Sequence, residues 1–148
     1  MIITRFKRLV QIALLVSVAA LITPAYAENM PCNVKLEFDS NSTGSVANYV
    51  LSLQLKNTTG RSVSGASVIY MDTEEGNLGN TLLLCSTTGD GLTESVKPGS
   101  YGQCVSVLQK VDGAFMSAFG SKKWTEIVNS QLATLNAVAL CEVLGFAY

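Results

Sequence analysis

The clearest pattern in this chain is an alternation of apolar and polar residues that begins at Cys32. Apolar residues occupy every second position over residues 32–38, and polar or charged residues fill the positions between them. Successive side chains of a β-strand point to opposite faces, so this period of two predicts a strand with one buried face. A second alternation over residues 49–56 follows a turn-forming cluster at residues 41–45 and predicts a second strand.

Further strands are predicted downstream, separated by polar and glycine-containing turns. They cover residues 63–71, 82–85, 92–96 and 104–111. The segment 82–85, Leu-Leu-Leu-Cys, is apolar at every position, which predicts a short buried strand. Residues 97–100, Lys-Pro-Gly-Ser, fit a type II turn, because proline presets φ at the first central position and glycine accepts a positive φ at the second.

Near the end of the chain the period changes from that of a strand to that of a helix. Apolar residues from Trp124 to Leu135 recur every three or four positions, which predicts one amphipathic helix within residues 122–136. Because Trp124 begins this apolar stripe, core packing is favoured for it over contact with a partner. Residues 138–148 are predicted as the final strand.

Six or seven short strands and one late helix in about 120 residues predict a mainly β protein. Turn signals every eight to twelve residues are typical of a two-sheet antiparallel sandwich of the immunoglobulin or fibronectin type III kind. A parallel sheet would require helices between its strands, and the pattern shows a helix only before the last strand. The predicted fold is therefore such a sandwich.

Residues 1–27 show the three zones of a secretory signal peptide. Three basic residues lie among the first eight, an apolar run follows over residues 9–22, and Ala25-Tyr26-Ala27 forms a small-residue cleavage site. The run is shorter than the about twenty residues that a membrane-spanning helix needs. We therefore expect cleavage between Ala27 and Glu28, export to the periplasm or beyond, no membrane anchor afterwards, and one domain over residues 28–148.

Loss of this leader would change the charge balance. It would remove three of the ten basic residues and none of the eleven acidic ones, which leaves a net charge of −4 for residues 28–148. The remaining lysines and arginines form no basic stripe, so we expect no nucleic-acid partner. Asn41 and Asn57 each begin an Asn-x-Thr glycosylation pattern, which matters only in a host that glycosylates.

The four cysteines, Cys32, Cys85, Cys104 and Cys141, all lie in the part expected to be exported, where an oxidising compartment favours two disulfides. They form no Cys-x-x-Cys pair, so neither a zinc ribbon nor a thioredoxin-type site is supported. In a sandwich the first strand begins near the end of the fourth. That placement favours the pairs Cys32–Cys85 and Cys104–Cys141, and the other two connectivities stay open.

The chain contains no histidine, which excludes Ser-His-Asp and Cys-His catalytic arrangements and imidazole zinc sites. No phosphate loop or Ser-x-x-Lys motif is present, so we expect neither enzymatic activity nor a cofactor. The acidic loop Asp72, Glu74, Glu75 carries the oxygen ligands that calcium takes, but its glycine spacing differs from that of an EF-hand. A solvated hairpin is favoured there over a calcium site, and Glu37 and Asp39 are expected on an exposed strand face.

A family resemblance is carried by three motifs within residues 49–111: Leu-Lys-Asn-Thr-Thr-Gly-Arg at 55–61, Val-Ile-Tyr-Met-Asp at 68–72 and Lys-Pro-Gly at 97–99. This segment resembles the fibronectin type III-like modules of exported bacterial proteins. With its leader, small size and four cysteines, the mature chain resembles the bacterial interleukin-receptor mimic proteins. The resemblance implies a homodimer formed by strand exchange and the binding of host cytokines.

Three functions stay open at this point. The first is a secreted non-enzymatic binding module, because small β-folds host recognition more often than chemistry. The second is a pilin-like structural subunit of a surface fibre, and the third is a periplasmic inhibitor or accessory protein. Strand exchange has a physical route, since the predicted helix joins the last strand to the body and could reach a second copy.

Overall fold

The computed structural model describes residues 29–88 and 94–148, so the predicted leader and its cleavage site at Ala27 and Glu28 lie outside the described residues. The elements are β1 (Asn29–Asn41), β2 (Gly44–Lys56), β3 (Gly65–Met71), β4 (Asn77–Ser86), β5 (Tyr101–Val111), α1 (Gly113–Met116), α2 (Trp124–Leu135) and β6 (Leu140–Ala147). A short 3₁₀ turn at Ser117–Phe119 follows α1. The predicted helix before the last strand is confirmed as α2, whereas α1 was not predicted.

All six strands are antiparallel and close into one barrel in the order β1-β2-β5-β4-β3-β6, with β6 returning to β1. The prediction of a mainly β protein is confirmed, but the two-sheet immunoglobulin or fibronectin type III-like sandwich is wrong. The reason is the position of β6, which pairs with β3 along its length and with β1 at residues 29–31. By pairing with both β1 and β3, β6 closes the sheet into a barrel, whereas a sandwich keeps two separate sheets.

The barrel interior is filled mainly from β2, whose residues Tyr49, Leu51, Leu53 and Leu55 are buried. The other strands contribute buried residues that face them: Cys32, Ala66, Val68, Leu83, Cys85, Cys104 and Cys141. The inward face of β1 becomes progressively more exposed along the strand. Cys32 is buried, whereas Phe38, six residues later, is 65% exposed.

The helix α2 packs over the far end of the β1–β2 hairpin and forms a second apolar cluster there. Its Ile127 and Val128 are buried against Ala47 and Tyr49 of β2, together with Val111 at the end of β5. The partly buried Trp124 ring packs against the same cluster, and its centroid lies 5.9 Å from that of Phe38. Core packing of Trp124 is therefore confirmed.

Three β-bulges in the described part of the chain each insert one leucine into a strand: Leu78 in β4, Leu108 in β5 and Leu144 in β6. A bulge bends its strand and increases the local twist. β5 pairs with β4 only from Leu84 opposite Val105 to Ser86 opposite Gln103, and the two strands part toward the bulge at Leu108. Among the described residues, residues 77–83 of β4 therefore have no strand partner on the β5 side.

The four cysteines form two disulfides, as predicted, but the predicted pairing Cys32–Cys85 and Cys104–Cys141 is wrong. The observed bridges are Cys32–Cys141 and Cys85–Cys104. Both follow from barrel closure, which makes β1 a neighbour of β6 and sets Cys85 directly opposite Cys104 on adjacent strands. Two disulfides indicate an oxidising, exported environment.

The predicted turn at residues 97–100 is confirmed. The backbone N–H of Ser100 donates to the carbonyl of Lys97 at 3.0 Å, and Gly99 has the positive φ of 78° that a type II turn requires. The predicted strand at residues 92–96 falls partly on residues 89–93, outside the described ranges. Its last residue, Val96, forms an isolated bridge with Val63.

Candidate binding surface

The outer side of β2, β5 and β4 carries a contiguous group of apolar side chains. We call Val50, Leu82, Leu84, Val105 and Val107 the apolar face. Strand register places them side by side, with Leu84 opposite Val105 and Val50 opposite Val107. Leu82, Leu84 and Val107 are 57%, 51% and 55% exposed. The outward side of an antiparallel sheet is usually polar, so this group is an exception that calls for a covering partner.

The leucine run of β4 explains part of this surface. The sequence predicted that residues 82–85 are buried throughout, and this is wrong for Leu82 and Leu84. Only Leu83 and Cys85 point into the barrel, because alternate residues of a strand face opposite sides. Because three consecutive leucines hide the alternation of inward and outward positions, the sequence did not indicate that Leu82 and Leu84 are exposed.

Charge is nearly absent from the strands that carry the apolar face. β4 contains no charged residue, and Lys110 is the single one in β5. Lys110 lies near the far end of its strand, where its ammonium is 3.2 Å from the Asp112 carboxylate. The centres of protein interfaces are depleted of charged residues, whereas exposed strand edges of monomers are usually guarded by them. The composition of β4 therefore matches an interface.

A polar border runs along one side of the apolar face. Shallow depressions on the outer side of β1, β2 and β5 are lined by the amides of Asn33, Gln54 and Gln103. Gln103 Nε2 donates a hydrogen bond to the hydroxyl of the buried Ser52. Lys35 lines one of these depressions and lies opposite Val50 in the strand register, so the border combines amides with one cation. An apolar centre with a polar border is the usual anatomy of a protein–protein interface.

A groove marks the line where β4 and β5 separate. Leu82 and Leu84 form one wall, Val105 and Val107 form the other, and Ser106 lies between them. The Ser106 hydroxyl oxygen is 3.2 Å from Thr81 Oγ1 across this line. Side chains, rather than backbone pairing, connect the two strands at this level.

The acidic residues singled out in the sequence do not gather into a site. Asp72 Oδ1 accepts hydrogen bonds from the backbone N–H groups of Glu74 at 2.9 Å and Gly76 at 2.8 Å, so its carboxylate shapes the turn between β3 and β4. Glu37 and Asp39 are exposed, as predicted. Within residues 29–88 and 94–148, no group of three acidic or cysteine side chains is arranged to hold a metal ion.

Within the described residues, the pKa values of two titratable groups are perturbed, and both groups have structural roles. Burial raises the pKa of Tyr49, whose hydroxyl donates to a backbone carbonyl of α2. The pKa of Asp112 lies below its ordinary value, first because its carboxylate accepts a hydrogen bond from the Phe115 N–H, and also because of Lys110. This carboxylate caps the N-terminus of α1. Neither group borders the apolar face.

The four cysteines predicted as structural residues all lie in the barrel core. They hold the wall beneath the candidate surface rather than forming part of it. No helix in the described part of the chain is both long and apolar enough to span a membrane.

No protein-family model, curated protein or solved structure matches this chain. The resemblance to fibronectin type III-like modules and interleukin-receptor mimics therefore stays a prediction. The residues of the apolar face are the strongest indication of function that the described structure offers.

Proposed function

We propose that this chain is an exported, non-enzymatic binding module that recognises another protein through the apolar face. The observation that carries the proposal is the exposure of Leu82, Leu84 and Val107 side by side on strands that are almost free of charge. Contiguous exposed apolar side chains with a polar border mark interaction sites on soluble proteins.

Export is supported from two directions. The two disulfides need an oxidising compartment, and the first 27 residues have the zones of a signal peptide. The final destination in this proposal is the periplasm or the extracellular medium. The perturbed groups Tyr49 and Asp112 are engaged in packing and capping, so the proposal assigns them no catalytic role.

The chemistry of the apolar face restricts what it binds. A suitable partner presents apolar side chains to Leu82, Leu84 and Val107, and hydrogen-bonding groups to the amides of Gln54 and Gln103. The partner carries no charge at its centre, because a buried unpaired charge costs several kcal/mol. A host cytokine remains a candidate through the family resemblance alone.

Site-specific photo-crosslinking tests this proposal. A photoreactive amino acid replaces Leu84, Val107 or Leu144 in the protein expressed with its leader in the cells that export it. Leu144 is the matched control because it is an equally exposed residue, 56%, on β6. We expect covalent protein adducts from positions 84 and 107 and none from position 144. The absence of adducts at 84 and 107, or equal adducts at all three positions, would overturn the proposal.

A further inference from the structure

We propose that Asn41 is a glycosylation site: its side-chain amide accepts an oligosaccharide after export, and the carboxylate of Asp39 takes part in its recognition. This inference goes beyond the proposed function and uses no residue of the apolar face. It is carried by a comparison within the chain, which contains two Asn-x-Thr patterns. The structure exposes the asparagine of one pattern and buries that of the other.

The two patterns have the same local conformation. Oδ1 of Asn41 accepts hydrogen bonds from the backbone N–H of Thr43 at 2.8 Å and from the Thr43 hydroxyl at 2.6 Å. Oδ1 of Asn57 accepts the same two bonds from Thr59, at 2.9 Å and 2.7 Å. Both asparagines therefore hold the hydroxyl that the glycosylation pattern requires against their own amide. Local geometry does not distinguish the two sites, so any difference between them comes from their surroundings.

The amide nitrogen is accessible in one pattern and not in the other. Asn41 lies at the tip of the β1–β2 hairpin, where residues 39–45 are all exposed. Its Nδ2 donates no hydrogen bond to any residue that the structure describes. Asn57 is only 1% exposed, and its Nδ2 donates to the carbonyls of Arg61 and Val96. Because the sugar must reach this nitrogen, the folded protein offers Asn41 and withholds Asn57.

The residue two positions before the asparagine also differs. Asp39 precedes Asn41, and residues two apart on a strand lie on the same face, so an enzyme can contact both side chains together. Asp39 is exposed, and its Oδ1 accepts a hydrogen bond from the Ser40 N–H at 2.7 Å. The corresponding residue before Asn57 is the buried Leu55. Residues 39–43 thus form the acidic version of the pattern, Asp-x-Asn-x-Thr, which bacterial oligosaccharyltransferases recognise.

The sugar donor in this reaction is an oligosaccharide linked to a polyprenyl pyrophosphate. Nδ2 of Asn41 forms a bond to C1 of the first sugar, and the bond between C1 and the pyrophosphate oxygen breaks. The polyprenyl pyrophosphate leaves with the electron pair of that bond, and one Nδ2 proton passes to a base. No oxidation or reduction occurs, so no further reactant is needed.

The site is well separated from the apolar face. Lys35 lies opposite Val50 of that face, and Asn41 follows six residues later on the same strand. Six residues of a strand span about 20 Å. An oligosaccharide on Asn41 therefore leaves the apolar face open, and the two sites are tested separately.

Mass spectrometry of the exported protein tests this inference. The full chain is expressed with its leader in bacteria that also produce a bacterial oligosaccharyltransferase and its lipid-linked oligosaccharide. We expect a mass increase of one oligosaccharide less one water, and peptide mapping should place it on Asn41 and leave Asn57 unmodified. Asn41→Gln should abolish the increase. Circular dichroism and the presence of both disulfides establish that each variant is folded.

Two further variants test the part played by the carboxylate. Asp39→Asn keeps the size of the side chain and its hydrogen-bond acceptor but removes the charge. It should lower the modified fraction about tenfold, because a charge-assisted contact with the enzyme is lost. Glu37→Gln is the matched control, since Glu37 is an exposed acid on the same face of β1, and it should leave the modified fraction unchanged.

Other outcomes would overturn the inference. An unmodified exported protein, or an oligosaccharide found on Asn57, would show that exposure of Asn41 does not select it. Equal modified fractions in Asp39→Asn and Glu37→Gln would remove the recognition of Asp39. The result is independent of crosslinking from positions 84 and 107, so either proposal can fail while the other stands.

Discussion

The hydroxyl of Tyr49 donates a hydrogen bond of 2.6 Å to the backbone carbonyl of Val128, and both residues are buried. This contact joins β2 of the barrel wall to α2 across 79 residues of sequence. It sets the position of the helix over the β1–β2 hairpin. Burial around the phenol raises the pKa of Tyr49, because the charged form would lose its hydration.

We expect Tyr49→Phe to reduce the free energy of unfolding by about 1–2 kcal/mol, because it removes a buried hydrogen bond and keeps the ring. Urea unfolding followed by the fluorescence of the single tryptophan measures the change. Tyr101→Phe is the matched control, since the Tyr101 side chain is largely exposed and should contribute little. Equal losses in the two variants would contradict a special role for the Tyr49 contact.

The raised pKa of Tyr49 also implies a pH dependence. The unfolded chain releases this phenolic proton near its ordinary pKa of about 10, whereas the folded protein still retains it. The contribution is present below about pH 10 and is lost as the pH rises through the folded pKa. We therefore expect the unmodified protein to lose more stability between about pH 8 and about pH 11 than Tyr49→Phe does. Parallel losses would refute this coupling.

Asn57 is a buried amide with a complete set of partners. Its Nδ2 donates to the carbonyls of Arg61 and Val96, each at 2.7 Å, and its Oδ1 accepts from the backbone N–H of Thr59 at 2.9 Å. We expect Asn57→Asp to cost about 3 kcal/mol of unfolding free energy, because two buried hydrogen bonds donated by Nδ2 are lost and a charge is buried. The same burial keeps this amide from serving as a glycosylation acceptor in the folded protein.

Asn41 provides the control for that substitution, since it begins the same Asn-x-Thr pattern in the exposed turn between β1 and β2. Its Oδ1 accepts from the Thr43 N–H at 2.8 Å, and aspartate can accept that bond equally well. Asn41→Asp should therefore change the stability by less than about 0.5 kcal/mol. Thermal unfolding compares the two variants. A cost at position 41 as large as that at position 57 would show that burial is not the cause.

The two disulfides should differ in their contributions to stability. Cys32–Cys141 spans 109 residues and Cys85–Cys104 spans 19. A bridge across a longer loop removes more conformational entropy from the unfolded chain, so it stabilises the folded protein more. The chain-entropy relation gives about 5 kcal/mol for the first bridge and about 3 kcal/mol for the second. We expect the double variant Cys32→Ala with Cys141→Ala to unfold at the lower denaturant concentration. The reverse order would contradict this account of the bridges.

Periodicity was sufficient to predict β1, β2 and α2, because alternation and helical spacing are local properties. The inward Cys32 and the outward Asn33 follow the predicted phase. Barrel closure was not predictable in this way, because strands of a sandwich and of a barrel alternate identically. The difference lies in contacts between distant residues, such as Met30 opposite Cys141. The disulfide pairing was inferred from the sandwich, so it was wrong for the same reason.

The apolar face was also hidden from sequence reasoning. Leu82, Leu83 and Leu84 are chemically alike, and the phase of β4 becomes visible only when Cys85 is seen opposite Cys104 in the barrel wall. β4 and β5 separate near the bulge at Leu108. The sequence at residues 107–109 contains no glycine or proline, so it gives no sign that the strand is irregular there. Local patterns therefore predicted the strands but not the surface that they expose.

Site-specific photo-crosslinking from the apolar face tests the central claim most directly. We expect covalent protein adducts from a photoreactive residue at Leu84 or Val107, because these side chains are exposed on the apolar face, and none from the equally exposed Leu144 on β6. The absence of adducts at positions 84 and 107, or equal adducts at all three positions, would contradict recognition of another protein through this face.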